Sequence, residues 1–312
     1  MTSTYDSTDN VQCKRLGNKP LVTPDMSLSW QRGGVFAPAV IHKHGQWKML
    51  FRAYGDDAIS RLGYAESKDG IKWLVDKQPR VTPDTSRYEY SGVEDPRAVN
   101  IDNLFYVTYT AFAAKAWPAA TRIRILATSD FLKFRRITPH LNNFLRKNDK
   151  DGVLFPEKIN NRYFMFRRIN ESIELSSSKS LKIWREHGVV LKPTRHDWED
   201  WKIGAGAPPI KTQLGWLLFY HGVSLEKRYC MGVAILDPHR PNKVLYRLPY
   251  PILSPEADYE KTGVVPNVVF GTSAVETAEE YRLYYGAADN VIAAASINKH
   301  ALLNALLRHP VD

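Results

Sequence analysis

Cysteine is almost missing from this sequence: Cys13 and Cys230 are the only two in 312 residues. They lie far apart and form no Cys-x-x-Cys or Cys/His spacing, which excludes a disulfide framework and a zinc site and leaves both as free thiols. Long apolar runs are missing too. No stretch approaches the ~20 residues that a membrane-spanning helix needs, so no membrane partner is expected. The start, Met1-Thr2-Ser3-Thr4-Tyr5-Asp6-Ser7-Thr8-Asp9, lacks the basic-then-apolar order of a secretory signal and points to a cytoplasmic address. No helix-turn-helix, RNP or zinc-finger pattern occurs, which argues against nucleic acid. The formal charge of +10 is spread in short pairs such as Arg135-Arg136 and Arg167-Arg168 rather than gathered in a tail or a helical stripe. Scattered cations suit an anionic small co-substrate.

What is present is a repeat. Hydrophobic residues make up 44% of the chain and aromatics 12%, enough for one sizeable core, and closed all-β folds of this length form single domains. An X-Pro dipeptide after an apolar lead recurs at Pro38, Pro96, Pro156, Pro208 and Pro266, a period of roughly 50 to 60 residues. After each comes a turn and an aromatic-rich strand: Trp47 to Tyr54, Leu104 to Thr110, Tyr163 to Arg168, Trp216 to His221 and Tyr281 to Tyr285. A second strand follows, at Arg61 to Ser67, Ile123 to Ser129, Ile173 to Ser178, Met231 to Leu236 and Val291 to Ile297. Three of these close with a related turn and an aromatic, Ser67 to Trp73, Ser129 to Phe134 and Ser178 to Trp184, which opens an outer strand.

Units of about four short strands that bury both faces only by stacking on neighbours describe a propeller. The expected fold is therefore all-β, a single five-bladed β-propeller over 1–312 with blades at roughly 30–80, 90–140, 150–190, 202–250 and 262–297. A β-sandwich is the bland alternative, disfavoured because sandwiches do not repeat one proline five times. Leucines in Ile297 to Arg308 follow a helical stripe and predict a short C-terminal helix packed on the outside.

The innermost strands of a propeller line its axis, so residues beside the five prolines converge on one funnel. There, Val93-Glu94-Asp95-Pro96-Arg97 places Asp95 beside a like charge that raises its pKa and a cation that lowers it. A carboxyl poised to keep its proton serves as a general acid, whereas Asp-Pro is also an ordinary turn. Other units bring cations: Arg52, Arg167-Arg168 and His221 end long strands, Lys150 and Lys158 flank one proline, and Lys202 and Lys211 flank another. Taken singly these are surface charges; in one pocket they suit phosphate. An inverting hydrolase needs a second carboxylate to activate water. Phosphate is already an anionic nucleophile, so the excess of cations favours phosphorolysis.

At these residues the chain resembles glycoside hydrolase family 130, the inverting β-mannoside phosphorylases, which are five-bladed propellers. The resemblance is carried by Val93 to Arg97, Lys150 to Ile159, Lys202 to Thr212, Gly215 to Val223 and Tyr284 to Asp289, with Phe51-Arg52-Ala53 from the first blade. It implies that Asp95 is the general acid, passing its proton through the 3-hydroxyl of a bound mannose. It places phosphate near Arg52, Lys150, Arg168, Lys211 and His221, with Lys211 preferred to Lys202. The sugar is expected at Glu94, Arg97, Lys158, Asn267, Tyr285 and Asp289. A manno-oligosaccharide and inorganic phosphate are the expected partners, with no metal and no further cofactor, and a homo-oligomer is allowed. The sequence departs from the family at Ala37, where Asn is frequent, at Gln31-Arg32, and at Arg167, where His is frequent. These departures bear on linkage specificity. A β-mannosidase, a mannosyltransferase using a nucleotide sugar, and a non-catalytic sugar-binding propeller stay open as alternatives.

Overall fold

A computed structural model describes residues 10–114, 121–137, 149–195 and 198–311. The polar start over residues 1–9 lies outside the described residues, as does the end of the expected second blade beyond 137. The described residues hold twenty-one strands, which form five small sheets in a ring. After the short β1 (Lys14–Arg15), the first blade holds β2 (Gly34–Lys43), β3 (Gln46–Tyr54), β4 (Arg61–Ser67) and β5 (Leu74–Val75). The second holds β6 (Gly92–Ile101), β7 (Leu104–Phe112), β8 (Thr121–Thr128) and β9 (Arg135–Arg136), and the third β10 (Lys150–Leu154), β11 (Tyr163–Ile169), β12 (Ser172–Ser178) and β13 (Arg185–Leu191). The fourth has β14 (Lys202–Ala205), β15 (Ile210–Thr212), β16 (Gly215–Val223), β17 (Tyr229–Leu236) and β18 (Val244–Arg247), and the fifth β19 (Val269–Glu276), β20 (Glu280–Ala287) and β21 (Val291–Asn298). The fifth sheet is completed by β1, where Lys14 pairs with Ser296 and Arg15 with Ala295.

Neighbouring strands within each blade are antiparallel, and the apolar side chains of both faces fill the gaps between blades. Phe155, Phe166, Trp216 and Leu218 form one such layer between the third and fourth blades, with Phe155 and Trp216 edge to face at 5.2 Å. Tight turns set the outer strands. Ser67 Oγ accepts from the amides of Asp69 and Gly70, and Asp69 Oδ1 from those of Ile71 and Lys72. Thr128 and Asp130 repeat that pattern, so the second-blade turn begins one residue earlier than the sequence signature suggests. Each aromatic that follows, Trp73, Phe134 or Trp184, sits one residue before its outer strand.

The five prolines are not equivalent in space. In the first two blades Pro38 and Pro96 follow a residue in the left-handed region, Ala37 (φ 48°) and Asp95 (φ 49°), and the strand register slips by a bulge at that point. The matching bulge of the third blade is Asp151 (φ 52°) with Gly152, ahead of Pro156. In the fourth blade Pro208 and Pro209 fill the gap between β14 and β15, where proline's missing N–H takes no ladder bond.

Among the described residues there are two short α-helices, α1 (Asp258–Lys261) and α2 (Lys299–Leu307). Asn298 caps α2 by accepting from the Ala301 amide at 3.0 Å, and Leu302, Ala305 and Leu306 insert into the layer between the last two blades.

Candidate active site

The bulges aim their residues at the axis. A left-handed residue in a strand is strained, and here it turns Asp95 and Asp151 out of the ladder toward a cavity of about 180 Å³ at the end of the ring where the inner strands begin. The first blade lines it with Phe36 and Arg52, the second with Asp95, the third with Lys150, Asp151 and Arg168. The fourth adds Lys202, His221 and Tyr229, and the fifth Phe270 and Asp289.

The cavity has two sides of opposite chemistry. On one, three carboxyl groups surround a single guanidinium: Arg52 Nη2 donates to Glu94 Oε1 at 2.6 Å and Nη1 to Asp95 Oδ1 at 3.2 Å, and Asp289 lies close enough to feel both. Burial pushes the Asp289 carboxyl up to about 6, with Asp95 adding to the rise and Arg52 opposing it. Burial likewise raises Glu94 against the pull of Arg52. Crowding of this kind keeps a proton in the group to higher pH than an isolated carboxyl would.

The other side is cationic. Lys150 and Lys202 open the inner strands β10 and β14, and among the described residues neither ammonium has a carboxylate within ion-pair distance. Burial and then the neighbouring Arg168 lower Lys202 to about 8. Its ammonium lies 3.8 Å from the Trp201 ring centroid, a desolvated cation held on an aromatic face. His221 is buried, which lowers it to about 3, with Arg168, Arg97 and Lys202 adding to the effect; the imidazole is neutral near pH 7. Burial opposes ionisation of Asp151, yet Arg168 and Arg97 hold it well below the usual carboxylate range. Among the described residues no cluster of His, Cys, Asp and Glu could hold a metal ion.

Six of the expected site residues therefore meet: Asp95, Arg52, Lys150, Arg168, His221 and Asp289. Glu94 and Arg97 lie directly beneath, buried, and hold their neighbours. Four are placed elsewhere. Lys211 lies on β15, beyond the gap in the inner strand, where it pairs with Glu157 at 2.6 Å beside a separate depression at the opposite end of the ring. Lys158 pairs with Asp102 at 2.7 Å, in the turn that ends the second blade's inner strand. The Tyr285 hydroxyl donates to the buried carboxylate of Glu260 at 2.7 Å, between the blades. Asn267 is exposed and does not line the cavity; its carbonyl accepts from the Tyr229 amide at 2.9 Å, while its neighbours Val265 and Val268 line the cavity.

Lys202 occupies the place expected for Lys211. A signal for it exists: Lys150-Asp151-Gly152 and Lys202-Ile203-Gly204 share a Lys-x-Gly pattern at the start of two inner strands. Arg167 and Arg168 are separated by strand alternation. Arg168 reaches the cavity, whereas Arg167 is fully buried against Asp149 and Glu186.

Similarity to known proteins is found in both sequence and fold. The model of glycoside hydrolase family 130, described as beta-1,4-mannooligosaccharide phosphorylase, matches residues 19–308. A beta-1,2-mannobiose phosphorylase and a 1,2-beta-oligomannan phosphorylase, both of a Thermoanaerobacter species, are 39% and 38% identical; each alignment covers 91% of this chain and 97% of the relative. The structure of a beta-1,2-mannobiose phosphorylase from Listeria innocua in complex with beta-1,2-mannobiose superposes with a TM-score of 0.84. It is 27% identical, over 95% of this chain and 99% of that one.

Proposed function

The chain belongs to glycoside hydrolase family 130, and on that footing we propose that it is an inverting phosphorylase acting on β-1,2-linked mannosides. Inorganic phosphate is the co-substrate and α-mannose 1-phosphate the product. The β-1,2 linkage is supported by the names of the two Thermoanaerobacter relatives and of the Listeria structure. The reaction class is supported by one observation above the rest: two lysines and an arginine face Asp95 across the cavity, and neither lysine has a carboxylate partner among the described residues. A desolvated cation without a counterion is costly and gains from an anionic ligand.

Each group then has a task. Asp95, steadied by Arg52, is the acid, and following the family pattern its proton reaches the glycosidic oxygen through the 3-hydroxyl of the bound mannose. Asp289 lies on the acid's side and receives sugar hydroxyls. Phosphate sits against Lys150, Lys202, Arg168 and the N–H of His221, and attacks the anomeric carbon from the face opposite the leaving group, which inverts the configuration. Arg52 is already occupied by Glu94 and Asp95, so we assign it to the acid rather than to phosphate. A hydrolase would need a free carboxylate base on the phosphate side. The carboxylate there, Asp151, is engaged by two guanidinium groups.

The whole ring is proposed as one catalytic domain, since every blade supplies part of the cavity. We place the reaction in the cytoplasm, where a charged sugar phosphate is retained; among the described residues no helix is long and apolar enough to cross a membrane.

Incubation of β-1,2-mannobiose with and without phosphate tests the reading. Mannose 1-phosphate should form only with phosphate, and Asp95→Asn should lower that rate at least roughly a hundredfold while mannoside binding persists. Free mannose released at equal rates in both tubes would overturn it. Faster turnover of β-1,4-mannobiose would correct the linkage alone.

A further inference from the structure

One carboxylate in the cavity has no task in the reaction as drawn. Asp151 is buried in the β10 bulge, and its two oxygens serve basic side chains from three blades. Oδ1 accepts from Arg97 Nη2 at 3.2 Å, Oδ2 accepts from Arg168 Nε at 2.7 Å, and His221 Nε2 lies 3.7 Å from Oδ2. Arg97 also donates to the backbone oxygen of Asp95 at 2.8 Å and to that of Gly206 at 3.2 Å. A negative charge beside an anion site weakens that site by simple repulsion. Its presence needs a compensating gain, and the contacts point to orientation.

Arg168 spends Nε on Asp151 and Nη1 on the backbone oxygen of Asn170 at 3.3 Å, which leaves Nη2 without a protein acceptor among the described residues. His221 is fixed in a different way. Its Nδ1 is buried and has no hydrogen-bond partner, and the ring packs edge-on against Phe270 at 4.8 Å. A proton on Nδ1 would be a buried donor without an acceptor, the costlier arrangement, while the carboxylate beside Nε2 draws the proton to that nitrogen. The backbone makes room for this pair at one position. A Cβ on Gly204 would lie 2.4 Å from His221 Cε1 and 2.6 Å from Asp151 Oδ2.

We propose that Asp151 is the positioning residue of the phosphate site: it holds Arg168 with its free edge toward the nucleophile and sets His221 as a neutral Nε2–H donor. This rests on the phosphorylase reading above. It also links acid to nucleophile, because Arg97 ties the same carboxylate to the backbone of Asp95.

Steady-state kinetics of Asp151→Asn with both substrates varied provides the test. The variant keeps the shape, loses the charge and one acceptor, and leaves the cavity more positive. Simple electrostatics would tighten phosphate binding; loss of orientation should instead raise the KM for phosphate roughly tenfold to a hundredfold. The KM for β-1,2-mannobiose should move less than about twofold. An unchanged or lower phosphate KM, or equal rises in both constants, overturns the proposal. Gly204→Ala keeps every charge but crowds the pair, and should raise the phosphate KM selectively even where the Asp151 variants fold poorly. Nitrogen-15 NMR of the unaltered protein should show Nδ1 of His221 unprotonated and Nε2 protonated from about pH 5 to 8, and the opposite tautomer overturns the assignment. If the unaltered enzyme releases mannose without phosphate, the phosphorylase reading falls and the proposal with it. If turnover depends on phosphate while the variants bind it normally, the proposal alone falls.

Discussion

Lys202 carries the pH dependence at the scale of single residues. Its ammonium is depressed to about 8 by burial and Arg168, so the cation proposed to attract phosphate is intact below that pH and is lost above it. The KM for phosphate should therefore climb as pH rises through about 8, and in Lys202→Met that climb should vanish while the KM at neutral pH sits at the weakened level. A pH series of phosphate KM on both proteins checks this. His221 adds no step near neutrality because it is already neutral above about 3. Residue identities in the sequence name six of the residues that line the cavity, but not which of two lysines faces the axis. Lys202 and Lys211 flank the same glycine-rich stretch, and only the break in the inner strand at Gly206 to Pro209 sends one to each end of the ring. Lys158 and Tyr285 lie away from the cavity for a related reason: each is near the motif in sequence, yet its polar atom is taken by Asp102 or Glu260.

Among the elements, β1 has the greatest leverage for its length. Two residues of backbone pairing cap the edge of β21, and Arg15 anchors them by a two-pronged contact with Glu260, Nε to Oε1 at 2.9 Å and Nη2 to Oε2 at 2.8 Å. The Glu260 side chain is fully buried and also receives the Tyr285 hydroxyl. Arg15→Ala leaves that carboxylate without its cation, and should cost about 3 kcal/mol in urea unfolding, the low end for a broken buried pair because Arg15 keeps some exposure. The strands were legible because aromatic alternation and Ser/Asp turns are local signals. The matched β4, Arg61–Ser67, shows how well such signals can define an edge. The bulges themselves were not legible, although proline follows two of them. In the sequence Asp151 is followed by glycine rather than proline, so its bulge carries no mark there. The outermost strand of the fifth blade could not be read there either, since it comes from the far end of the chain.

At the scale of the molecule, the five blades divide one site among them, so none can be removed without taking a wall of the cavity with it. The order in which they are strung together is less constrained, because every blade packs on its neighbours through the same kind of apolar layer. A circular permutant opened between β5 and β6, with the old ends joined by a flexible linker, should keep the far-ultraviolet spectrum and the phosphorolysis rate within about twofold of the parent. A permutant that is unfolded would show that the native order itself is required. The pairing of Lys14 with Ser296 also has a consequence in time. The fifth sheet is complete only once two segments far apart in the chain have met, so the folding chain passes through an unclosed ring with bare strand edges. Closure of so long a loop is entropically slow, and such edges invite pairing with other chains. The chain is thus most adhesive just before its ring closes, and its yield on refolding should depend on how long that interval lasts.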